Sequence, residues 1–166
     1  MLGRKTSRSQ RIKIKARKGL NTSFTKDRKN YVVDTSAIIN KFLIRLIRKG
    51  MLGRIIVPNA VMAELENLAN KGREEGFTGL EEVVKLHKLK NMKIYFEGTR
   101  PNEMQIRFAK SGEIDALIRE LARKNNAVLI TSDLVQAKTA QAYGLRVLYL
   151  RPRTIRKRKR FFFWRK

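Results

Sequence analysis

Tyr31-Val32-Val33-Asp34-Thr35-Ser36-Ala37 decides how this chain is read. An apolar run ends in a carboxylate, and two hydroxyl side chains follow at once. The run fits a buried parallel strand that stops at Asp34, with Thr35 or Ser36 placed to cap the next helix. Ligands of open α/β sheets bind beyond the carboxyl ends of the strands, so Asp34 is expected at the rim of such a crevice. Ala127-Val128-Leu129-Ile130-Thr131-Ser132-Asp133 repeats the pattern: an apolar strand, hydroxyls, then an acid.

Working outward, Ile38-Ile39, Phe42-Leu43 and Leu46-Ile47 recur at helical spacing, and Gly50 ends that helix. Arg54-Ile55-Ile56-Val57, closed by Pro58, is a second strand. A helix then carries Ala60, Val61, Leu65, Leu68 and Ala69 on one face, with Glu64 near its first turns. Residues 71–79 read as a charged loop punctuated by glycine, and residues 80–89 as an amphipathic helix. A third strand follows at Lys93-Ile94-Tyr95-Phe96. Pro101-Asn102 opens a short helix up to Phe108, and a longer one runs from Glu113 to Lys124 after Gly112. The acid-ended strand at 127–130 leads to a helix stopped by Gly144, and Arg146-Val147-Leu148-Tyr149-Leu150 is the last strand. Strands alternating with helices predict an α/β fold with a central parallel sheet covered on both faces.

Charge divides the 166 residues into three parts. Residues 1–30 hold 11 Lys/Arg and one acid, Asp27; residues 151–166 hold 9 Lys/Arg and no acid. That leaves 19 basic and 13 acidic residues for 31–150, so most of the net charge of +25 lies at the two ends. The expected organisation is a basic extension over 1–29, a folded domain over 30–150 and a basic, aromatic tail over 151–166. Acid-poor cationic arms suit nucleic acid better than a merely solubilising role. No apolar run reaches membrane-spanning length, and no apolar segment follows the basic N-terminus, so neither a membrane nor a secretory signal is expected. With no cysteine and a single histidine, His87, disulfides and Cys- or His-based metal sites are excluded, and a cytoplasmic location is expected.

Four acids stand out: Asp34 and Asp133 at strand ends, Glu64 on the helix after a strand, and Asp115 early on a helix. Gathered carboxylates repel and raise one another's pKa, so a fold that gathers them needs a compensating cation. Mg²⁺ or Mn²⁺ takes carboxylate oxygens and needs neither Cys nor His. Each acid also has a plainer role. Asp34 and Asp133 suit helix N-caps, Asp115 suits a helix dipole, and Glu64 suits an exposed helical face.

As an ordered set, Asp34-Thr35-Ser36, Val57-Pro58-Asn59 with Glu64, Gly112-Glu113-Ile114-Asp115-Ala116 and Thr131-Ser132-Asp133 resemble the four motifs of PIN-domain nucleases. Residues 57–82 look closest to the PIN module of archaeal proteins that join this domain to an ATPase. The resemblance implies a PIN-like, Rossmann-like three-layer α/β/α sandwich with a central parallel sheet, and metal-dependent endonucleolytic hydrolysis of RNA or single-stranded nucleic acid. Asp34, Glu64, Asp115 and Asp133 would be the catalytic, ion-binding residues, with Ser36 and Thr131 as supporting hydroxyls. Glu113 would either support the site or simply open its helix. The sequence departs from the family in carrying Val135 where many members have a further acid. It has no Gly-rich phosphate loop with a lysine, so no ATP hydrolysis is expected.

Candidate nucleic-acid contacts are Arg4, Lys5, Arg8, Arg11, Lys13, Lys15, Arg17 and Lys18 at one end. At the other are Arg156, Lys157, Arg158, Lys159 and Arg160, with Phe162 and Trp164 either stacking on unpaired bases or packing into a protein groove. Lys71, Arg73 and Lys110 are candidates beside the rim. The expected partner is RNA, such as rRNA or the ribosome, and homo-oligomerisation is open. Two further readings are a non-catalytic ribosome- or rRNA-bound protein that reuses the fold, and a toxin-type ribonuclease with a protein inhibitor.

Overall fold

The structure, a computed structural model, describes residues 29–89, 92–108 and 112–152. Lys110 and the candidate contacts at 4–18 and 156–164 lie outside the described residues.

Five parallel strands form one sheet: β1 (Lys29–Val33), β2 (Gly53–Pro58), β3 (Met92–Glu97), β4 (Val128–Thr131) and β5 (Val147–Tyr149). Their order is β3-β2-β1-β4-β5. The chain winds outward from β1 through β2 to β3, then crosses back to lay β4 on the other side of β1. The order therefore reverses between β1 and β4, which pair from Tyr31↔Val128 to Val33↔Ile130. Crevices for ligands open at such a reversal, outside the strand carboxyl ends. Val32, Val33, Ile55, Ile56, Leu129 and Ile130 are fully buried, as parallel strands covered on both faces must be.

The helices are α1 (Thr35–Ile39), α2 (Phe42–Arg48), α3 (Asn59–Asn70), α4 (Glu74–His87), α5 (Glu103–Phe108), α6 (Glu113–Lys124) and α7 (Leu134–Ala142). Two expectations need correction. The helix after Asp34 is not continuous: Lys41 adopts a left-handed conformation (φ 55°) and splits it into α1 and α2. The break exposes the first N–H groups of α2, and buried Glu82, on α4, accepts from Ile44 N–H there. Burial pushes the Glu82 carboxyl above its ordinary value, against the lowering influence of that bond and of Lys85, Lys41 and Arg45.

Residues 74–79 are also helical rather than a loop. Gly76 and Gly79 lie where α4 crosses α3. A Cβ on Gly76 would stand 2.3 Å from the Ala69 nitrogen, and one on Gly79 would stand 2.3 Å from a Leu65 methyl. These glycines serve close approach, not a turn. Among the described residues, no helix is long and apolar enough to cross a membrane.

Candidate functional site

Asp34 follows β1 at the N-cap position of α1 but gives that helix no side-chain cap bond. Its Oδ2 instead accepts two hydroxyls, Ser36 Oγ at 2.6 Å and Thr131 Oγ1 at 2.6 Å. Each hydroxyl has a single proton, so the 3.2 Å approach between Ser36 Oγ and Thr131 Oγ1 is a contact forced by their shared acceptor. Both hydroxyls are fixed in turn by backbone. Ser36 Oγ accepts from Ser132 N–H at 2.9 Å, and Thr131 Oγ1 accepts from Asp133 N–H at 3.0 Å. Asn40 adds a bond to Ser132 Oγ at 3.0 Å. A hydroxyl from α1 and one from the end of β4 thus clamp one carboxylate across the sheet reversal. Burial raises the Asp34 pKa, the hydroxyls and the Thr35 amide lower it, and the charge of Asp133 raises it.

Glu64 lies on α3, half-buried, and its Oε2 accepts from Thr35 Oγ1 at 2.5 Å. Burial raises its pKa first; Asp34 and Asp115 raise it further, against the Thr35 bond. Asp115 is half-buried on the first turn of α6. That helix starts from Gly112, whose φ of 114° lies in the region that favours glycine. Burial again leads the upward shift of Asp115, followed by the charges of Asp34 and Asp133, with Arg119 opposing. Asp133 is exposed and caps α7, its Oδ1 accepting from Val135 N–H at 2.6 Å and Gln136 N–H at 3.1 Å. Its capping role is therefore real, and its charge still acts on Asp34 and Asp115.

Charge thus couples Asp34 to Asp133, Asp115 and Glu64, and Asp115 to Glu64 and Asp133, around the carboxyl ends of β1 and β4. Among the described residues none of these four acids forms an ion pair. As placed, no three His, Cys, Asp or Glu side chains among these residues close on a common ion position. The donor set nevertheless fits a hard divalent cation: all its atoms are oxygens, its negative charge is largely uncompensated, and hydroxyls hold two of its members in position.

Glu113 is exposed on the first turn of α6. Lys71 is the C-cap of α3, roughly 10 Å along the axis beyond Glu64 by helix geometry, and Arg73, the N-cap of α4, pairs with Glu75. His87 stacks on Phe96. Three contributors were not among the sequence-derived site residues. Thr35 was legible as part of the strand-end triplet. Gln136, fully buried, and Arg119, which donates to Gln136 Oε1 at 2.6 Å, carry no local signal.

The family model of the PIN domain matches residues 31–147. The chain is 43% identical over 127 residues to an uncharacterized KH- and PIN-domain containing protein of Methanocaldococcus jannaschii, covering 74% of this chain and 20% of that one. It is 27% identical over 128 residues to an uncharacterized PIN- and TRAM-domain containing protein of Bacillus subtilis, covering 74% of this chain and 33% of that one. A solved structure, a domain of a functionally unknown protein of Methanocaldococcus jannaschii, superposes with a TM-score of 0.72 at 42% identity, over 76% of this chain and 94% of that one. The chain therefore spans between a fifth and a third of the length of these curated relatives.

Proposed function

The chain belongs to the PIN-domain family, a nuclease superfamily, and on that premise we propose that it is a metal-dependent endoribonuclease. RNA phosphodiesters would be hydrolysed at Asp34, Glu64, Asp115 and Asp133, and the basic arms would hold the RNA, with rRNA processing or turnover as the setting. The observation that carries the proposal is the electrostatics of these four acids. Asp34 and Asp115 are each coupled by charge to the other three, Asp34, Glu64 and Asp115 have raised pKa values, and no cation forms an ion pair with any of the four among the described residues. Relatives that carry KH or TRAM domains beside the PIN module support RNA as the substrate.

The four acids would hold Mg²⁺ or Mn²⁺. Such an ion, when bound, supplies Lewis acidity toward a phosphoryl oxygen and lowers the pKa of water. The chain's own part is positional. One oxygen of each of three carboxylates is held: Asp34 Oδ2 accepts from two hydroxyls, Glu64 Oε2 from one hydroxyl, and Asp133 Oδ1 from two backbone amides. Ser36 and Thr131 keep Asp34 oriented despite its burial, and Thr35 does the same for Glu64.

A second reading is an rRNA-bound protein that keeps the fold without cleavage. It is favoured by the spacing of the acids, which as placed do not close on one ion position. A 5′-labelled RNA incubated with Mn²⁺ separates the two. The nuclease reading expects discrete cleavage that disappears in Asp34→Asn, together with calorimetric Mn²⁺ binding that weakens in Asp115→Asn. Absence of cleavage by the wild type under both metals, with tight salt-sensitive RNA binding retained, would establish the second reading.

A further inference from the structure

A groove between α6 and the end of α7 leads away from Asp115. It is lined by Ala116, Arg119, Glu120, Arg123, Tyr143 and Leu145. We propose that this groove is a subsite for a single polynucleotide strand, in which Arg119 and Arg123 take phosphates and Tyr143 stacks an unpaired base.

Position is the first argument. Asp115, Arg119 and Arg123 are spaced four residues apart, so they form one stripe along α6, each a helical turn from the next. A strand whose scissile phosphate lay among the acids would meet the two guanidinium groups in succession. The second argument is that the arginine nearer the acids is held in place. Gln136 is fully buried, accepts from Arg119 Nη1 at 2.6 Å through Oε1, and donates from Nε2 to the Asp115 carbonyl at 3.2 Å. One amide thus ties the Arg119 guanidinium to the helical turn that carries Asp115.

The third argument is the aromatic ring. Tyr143 is 73% exposed, more than any other Phe or Tyr among the described side chains, and the Arg119 guanidinium lies over it at 5.8 Å. Rings so placed offer a stacking platform to any base, and a stacked base must be unpaired. Charge is the fourth. Neither arginine is in an ion pair among the described residues, and the groove's one acid, Glu120, leaves it net cationic. The inference rests on the nuclease reading for the direction of the strand, but binding in the groove does not require cleavage.

The test uses the full chain in EDTA, so that no strand is cut, with fluorescence anisotropy of a labelled oligouridine and of a duplex of equal length. Tyr143→Ala is expected to weaken single-strand binding roughly tenfold, whereas Tyr143→Phe stays within about twofold because stacking does not need the hydroxyl. Arg123→Gln is expected to weaken it and to flatten the log affinity against log salt slope by about 0.7. Duplex binding, carried by the arms, is expected to be unchanged in every variant. A deoxyuridine oligomer bound equally well assigns the recognition to phosphate and base, and one bound worse adds the 2′-hydroxyl. Wild-type affinity in Tyr143→Ala, or equal losses on single strand and duplex, overturns the subsite and leaves a general cationic or protein-docking surface. The two proposals fail separately. Mn²⁺-dependent cleavage with an indifferent Tyr143 removes the subsite alone, and a Tyr143 effect without cleavage removes the nuclease alone.

Discussion

Thr131 has no solvent exposure, yet its hydroxyl is used twice: it donates to Asp34 and accepts from the Asp133 amide. Valine matches its shape but removes both bonds. Thr131→Val is therefore expected to cost about 2 kcal/mol at pH 7, the range for a hydrogen bond to a charged group, as measured by urea unfolding. RNA cleavage is expected to fall with it. Glu82 makes the opposite case. Its carboxyl is held above the ordinary 4.5 mainly by burial, so the native state keeps this proton at a pH where the unfolded chain has lost it. The resulting contribution is fully present below the unfolded pKa and is lost as pH rises through the native one. Glu82→Gln is thus expected to raise Tm at pH 7, with the difference from wild type closing as the pH approaches 4. A gap independent of pH would mean that the effect comes from packing.

At the scale of elements, the α3–α4 crossing depends on Gly76. Its missing Cβ leaves room for the Ala69 nitrogen and the Leu65 carbonyl, both backbone atoms that no rotamer change can move. Gly76→Ala is expected to destabilise by about 2 kcal/mol, as overpacking does, with a lower urea midpoint and an unchanged slope. The crossing also sets the position of α3, the helix that brings Glu64 to Thr35, so the same variant is expected to lose cleavage beyond what its stability explains. Gly112 acts on α6 through conformation: its φ is 114°, where a side chain is strained whatever room it has. Gly112→Ala is expected to cost about 1 kcal/mol in strain and to displace Asp115, a change visible as weaker Mn²⁺ binding by calorimetry.

Across the whole molecule, charge is divided along the sequence. A chain with net charge +25 places its acids in the folded centre and leaves its ends almost free of them. Affinity and chemistry can then be separated. Deleting residues 153–166, which hold eight Lys/Arg, is expected to flatten the salt dependence of RNA binding while the ratio of single-strand to duplex affinity, attributed to Tyr143, persists. Anisotropy titrations between low and physiological salt check this. An unchanged slope would show that the tail does not touch the RNA.

Much of this was legible from residue order alone. A short aromatic and β-branched run such as Tyr31-Val32-Val33, followed at once by an acid and helix-capping hydroxyls, fits a buried parallel strand covered on both faces. An acid directly after such a run must stand at the sheet's carboxyl edge, because strand direction fixes which end it occupies. These consequences are local, so the sheet, its helices and the positions of Asp34 and Asp133 followed from them. Tertiary structure decided the rest. The split at Lys41 becomes intelligible only when Glu82, 38 residues from Ile44, is seen at the start of α2. Gly76 and Gly79 read as loop punctuation until α3 is laid against them. The grip of Thr131 on Asp34 joins residues 97 apart, and the Gln136–Arg119 tie joins two helices at a contact no periodicity marks. Periodicity reports which face of an element is apolar, but it is silent on which partner covers that face and on how closely two backbones approach. Those are properties of packing, and they exist only once the chain has closed on itself.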